Sequence, residues 1–196
     1  MTIACLAWGS LVTDPRALPC ASEWRSDGPE LPIEFARQSQ DGRLTLVIAE
    51  GARLCTTLWC ELAVRDLDEA IQVLQHRENT PNENSIGRWP NATARKWPCS
   101  AHVAAWAEAR GLAGVVWTAL WPGWIGSRGL VPTMEEAVTY LQGLDPATAA
   151  LAGSYIRSTP AQVATAFRPA LEAELDRLAA LGLSTVKADQ PATSRV

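Results

Sequence analysis

The stretch Ile3-Ala4-Cys5-Leu6-Ala7-Trp8-Gly9-Ser10-Leu11 decides the fold, because an apolar run stops there at a Trp-Gly-Ser-Leu corner. The run reads as a buried strand. Gly9 closes it without a Cβ, which permits a positive φ and lets a ligand come close to the backbone. Ser10 adds a hydroxyl that both donates and accepts. Consecutive N–H groups in such a turn form a concavity suited to a carboxylate or an oxyanion. The structural alternative is a tight turn with a capping serine.

Around this strand lie 196 residues, 47% of them hydrophobic, enough for one domain with a substantial core. The formal charge of −4, the pI near 5.2 and the lack of a basic run argue against a nucleic-acid partner. No stretch approaches the length of a membrane span, and the N-terminus lacks the charged and apolar regions of a signal peptide. A soluble, cytoplasmic protein without a membrane partner is expected. Five cysteines without C-x-x-C spacing and only two histidines argue for reduced thiols and against a zinc site, so no metal or cofactor is expected.

Working outward, Thr13-Asp14-Pro15-Arg16 reads as a capped turn and residues 19–32 as a surface loop. Ile33 and Phe35 alternate with Glu34 and Ala36 before a Gln40-Asp41-Gly42 turn, and residues 44–49 return, which predicts a hairpin. Residues 54–64 read as one long strand. Asp66 caps a helix striped by Leu67, Ala70, Ile71 and Leu74 that ends near Arg77-Glu78. Residues 79–97 read as an irregular loop, Ser100 as the cap of a helix to Ala109, and residues 114–120 as a further strand. Three helices follow: one from a Thr133–Glu136 capping box, one from Asp145-Pro146, and the longest from Ser158-Thr159-Pro160 to Gly182. The tail 184–196 is polar and expected to fray. Strands early and helices late predict an α+β domain over residues 1–183, with 132–183 as a helical extension packed on a closed or strongly curved sheet.

Four groups of residues could carry chemistry. The first joins the Gly9-Ser10 corner to Glu78, whose carboxylate at a helix C-terminus faces the negative end of the dipole; partly buried, it would have a raised pKa and act as a general base. The second is Glu34, Arg37, Gln38 and Ser39, where alternation puts Arg37 and Ser39 on the inward face of Ile33 and Phe35, to meet a substrate carboxylate or to pair with Glu34 or Glu78. The third is Cys99 with His102, a nucleophile pair without an orienting acid. The fourth is two aromatic corners, Arg88-Trp89-Pro90 and Trp121-Pro122-Gly123-Trp124, as walls of one pocket or as loop packing.

The residues of the first group carry a resemblance. The strand ending in Trp-Gly-Ser-Leu resembles the Tyr-Gly-Ser corner of the γ-glutamylcyclotransferase-like family, and the Leu67-Asp68 helix leading to Arg77-Glu78 is similar to the segment before that family's catalytic glutamate. The order of corner, Asp-Gly hairpin, long strand, helix and glutamate agrees over about residues 2–120. The resemblance, to a divergent member, implies a small mixed β-barrel with flanking helices. It also implies cleavage of a γ-glutamyl amide to 5-oxoproline and a free amine. Glu78 would be the base, and Trp8, Gly9, Ser10, Leu11, Arg37, Ser39, Arg88 and Trp89 would bind a small γ-glutamyl amine or peptide. Trp8 stands where the family has tyrosine, and Leu11 where many members have asparagine. A non-catalytic binding module on the same fold is the alternative, and a homodimer is left open.

Overall fold

The computed structural model describes residues 2–93 and 95–181; the expected tail 184–196 lies outside them. Strand β1 (Ile3–Ala7) is buried at every position because it has neighbours on both sides. It pairs antiparallel with β5 (Leu58–Glu61), Ala7 opposite Leu58, and parallel with β7 (Gly114–Thr118), Cys5 opposite Val116. Antiparallel β6 (Ile86–Trp89) completes a sheet of order β5-β1-β7-β6. Ala4, Leu6 and Trp8 face the main core. Ile3, Cys5 and Ala7 face helix α2 (Leu67–Glu78) through Ala70, Ile71 and Leu74, the stripe read from the sequence.

The second sheet has the order β3-β2-β4, from β2 (Glu30–Gln38), β3 (Leu44–Ile48) and β4 (Leu54–Thr56). The strand expected over 54–64 therefore breaks at buried Thr57, which donates from both N and Oγ1 to the Pro29 carbonyl, so one run of chain serves both sheets. On the other side the chain beyond β7 returns to β2 through one parallel bridge, the Gly123 N–H donating to Ala36 (2.7 Å) and the Gln38 N–H to Gly123 (3.3 Å). Mixed α+β with two sheets is what the molecule shows.

Helix α1 (Ser10–Thr13) follows the corner. Asp66 caps α2 through the Glu69 N–H, and Asn79 ends it in the left-handed conformation. Thr133 and Glu136 form the expected capping box of α4 (Met134–Gln142), and Asp145 caps α5 (Pro146–Ser158). Three expectations change. The stretch 79–97 contains strand β6. Ser100 does not cap α3 (Ser100–Ala109): the N-cap is Cys99 at φ +62°, and the Ser100 hydroxyl donates instead to the Trp97 carbonyl. The last helix, α6 (Arg168–Ala180), starts at Arg168-Pro169 rather than at Pro160. No helix of the described residues is long and apolar enough to cross a membrane.

Candidate active site

Strand β1 runs toward the corner and β5 away from it, so α2, entered after β5, brings Glu78 back to the corner's end of the sheet. Arg77 makes the connection. Its side chain is 6% exposed; Nη1 donates to Glu78 Oε1 at 3.1 Å, and Nη2 to the Asp14 carbonyl at 2.6 Å and to Ser10 Oγ at 3.4 Å. One guanidinium thus ties the catalytic candidate to the corner. The Glu78 side chain is 17% exposed, and burial pushes its carboxyl above the ordinary glutamate range against the pull of Arg77 and Arg16. A carboxyl so placed keeps its proton to higher pH than an exposed glutamate does.

At the corner Gly9 has φ −144°, not the positive value expected. Its need is steric. A Cβ there would stand 2.5 Å from the hydroxyl of Tyr155, brought in by α5, whereas real Cβ contacts essentially never fall below 3.0 Å. No side chain caps the N-terminus of α1, so among the described residues no side chain accepts from its first N–H groups. Trp8 is turned into the main core and buried, which makes it packing rather than pocket lining. Leu11 is buried against the α2 side.

The hairpin residues lie differently from the alternation expected. A β-bulge between Phe35 and Arg37 inserts Ala36, so Phe35 pairs with Leu46 but Arg37 with Thr45, and Arg37 leaves the face of Ile33 and Phe35. It donates to the Trp121 carbonyl at 2.6 Å, not to Glu34 or Glu78. Ser39 is held in the turn by Asp41 and the Arg43 carbonyl. Glu34 is buried and accepts from Phe35, Ala166 and Phe167 N–H groups. Arg88 pairs with Glu83 and stands 5.2 Å from the Trp97 ring. Trp89 pairs with Val115, itself opposite Ala4, at the far end of the sheet from the corner. Trp121 lies beyond Thr118 at the other end of β7, so the two aromatic corners do not wall one pocket. Cys99 sits outside the α3 helix and His102 is exposed.

Two residues of the corner were not singled out as site residues from sequence. Arg77 lies in the recognised helix end, and its signal was a single charge beside Glu78. Tyr155 had none, since its approach to Gly9 is set by the packing of α5 on β3, where its hydroxyl accepts from the Leu46 N–H at 3.3 Å. Arg43 joins them, its guanidinium 5.6 Å from the Tyr155 ring and its Nε donating to Asp41 at 2.8 Å.

No family model matches this chain, and no curated protein matches it. Among solved structures, the crystal structure of a γ-glutamyl cyclotransferase specific to glutathione from yeast is similar, with 14% identity, a TM-score of 0.46, and coverage of 90% of this chain and 99% of that one.

Proposed function

We propose that the protein is a divergent enzyme of the γ-glutamylcyclotransferase type, its two sheets a small barrel opened on one side, acting in the cytoplasm on a small γ-glutamyl amine or peptide. The observation that carries this reading is the Arg77 tie, which holds a largely buried carboxylate with a raised pKa beside an uncapped N–H corner. A binding module needs no such base.

In the reaction the substrate's α-amine nitrogen attacks its own γ-carbonyl carbon. The new C–N bond closes 5-oxoproline, the old C–N bond breaks, and the amine leaves. Glu78 takes the proton from the attacking nitrogen and returns it to the leaving one, so no water is consumed. The nucleophile belongs to the substrate, and the protein has to fold the substrate, shuttle a proton and hold the oxyanion. In this reading the Ser10 and Leu11 N–H groups take the last task. Arg77 is already bonded to Glu78 and Asp14, so Arg43, over the Tyr155 ring, is the cation we assign to a substrate carboxylate, in place of Arg37, which the bulge turns away.

The test is a panel of γ-glutamyl amines, peptides and amino acids assayed for 5-oxoproline, with Glu78→Gln beside the wild type. Release by the wild type and its loss in Glu78→Gln, with melting temperatures alike, is the expected result. Turnover retained by Glu78→Gln would remove Glu78 as the base.

A further inference from the structure

We propose that Tyr155 belongs to this corner as a substrate-touching donor, its O–H directed at the carbonyl oxygen of the amide that is broken. The inference rests on the reading above. The hydroxyl occupies the place that any Cβ at position 9 would take, 2.5 Å from it, so the absence of a side chain at Gly9 is what lets the phenol reach the corner. Tyr155 is only 9% exposed. Its oxygen accepts from the Leu46 N–H at 3.3 Å, and among the described residues its own proton has no acceptor. A buried donor without an acceptor is costly unless a ligand completes it.

The surroundings fix the orientation. Leu46 holds the oxygen, Phe35 meets the ring edge-on with centroids 6.2 Å apart, and the Arg43 guanidinium lies over the ring face. The phenol reaches Gly9, and Arg77 ties the next residue, Ser10, to Glu78, so phenol and carboxylate are linked to adjacent residues of one corner. Burial pushes the phenol up to about 12, so it stays protonated and remains a donor through the working range. A neutral, fixed donor suits an oxygen on which charge develops during the reaction, whereas a permanent carboxylate is better met by a guanidinium such as Arg43. Tyr155 is thus assigned to the oxyanion, together with the corner's N–H groups.

The experiment compares wild type with Tyr155→Phe on the best γ-glutamyl substrate of the panel. The expected result is a fall in kcat of about a hundredfold with KM nearly unchanged. If the wild type releases 5-oxoproline and Tyr155→Phe keeps kcat within twofold, the assignment of Tyr155 is overturned while the proposed reaction stands. If the wild type turns over no γ-glutamyl compound, the reaction itself is refuted, and the role of Tyr155 with it. Should Tyr155→Phe fail to fold, 3,5-difluorotyrosine at position 155 replaces it. Its more acidic hydroxyl brings an alkaline limb into the kcat profile at lower pH than in the wild type, and an unmoved profile overturns the proposal.

Discussion

The base role proposed for Glu78 requires an ionised carboxylate, and its surroundings make ionisation costlier than in water. Desolvation is the largest influence on it, outweighing the favourable fields of Arg77 and Arg16, so its folded pKa lies above the unfolded one. Two consequences follow from one sign. The acid limb of kcat/KM lies above the ordinary glutamate range, and Glu78→Gln abolishes it together with turnover. A carboxyl raised on folding contributes stability that is lost as pH rises from the ordinary range through the raised value, so the Gln variant is no less stable than wild type at neutral pH. Rate profiles and melting curves across pH check both; a limb within the ordinary glutamate range would show that burial does not tune this group. The corner is legible because a glycine followed by serine at the end of an apolar run is a local pattern. The reason for the glycine is not, because Tyr155 arrives from α5, far along the chain, and only packing reveals that Gly9 makes room for its hydroxyl.

Among the elements, those with local signals were legible and those defined by distant partners were not. α2, α4 and α5 begin at side-chain caps visible in the sequence. β6 has no alternation, since Gly87 exists for the Trp117 indole lying across it, 2.1 Å from where a Cβ would be. The start of α6 is decided by a partner in β2: Glu34 Oε2 accepts from the Ala166 N–H at 3.0 Å and the Phe167 N–H at 3.2 Å, while Oε1 accepts from Phe35 at 2.8 Å. A residue read as one side of a hairpin is therefore the clamp between sheet and last helix. Glu34→Ala leaves three N–H groups without this acceptor and is expected to cost about 3 kcal/mol or more, at roughly 1–3 kcal/mol for each buried group left unpaired. Glu34→Gln keeps an oxygen and loses less. Chemical denaturation of both variants checks the order, and equal losses would show that the space filled, rather than the hydrogen bonds, is what matters.

At the scale of the whole molecule, the two sheets are joined by unequal seams. One is covalent, the chain through Thr57 from β4 to β5. The other is the single bridge at Gly123, reinforced by two arginines: Arg37 donates to the Trp121 carbonyl, and Arg128 donates to the carbonyls of Gly123 and Gln38. Burial, and then the proximity of Arg128, pull Arg37 down to about 10, a sign that these two cations are held together by carbonyls rather than by carboxylates. The chain from 119 to 131 is glycine-rich, with Gly123, Gly126 and Gly129 all at positive φ, and among the described residues its hydrogen-bonded hold on β2 is confined to the bridge at Gly123, the Ile125 N–H on Gln38 Oε1 and the two arginines. Arg128 binds both sides of the bridge, donating to the Gly123 carbonyl in the segment and to the Gln38 carbonyl in β2. Arg128→Ala removes both of its hydrogen bonds and relieves the charge on Arg37. Amide exchange at Gly123 and Gln38 is therefore expected to accelerate at least tenfold, while β1, β5 and β7 keep their protection because their ladders do not pass through this seam. Uniform acceleration across both sheets would mean that the seam opens only with global unfolding, and that the two sheets behave as one closed unit.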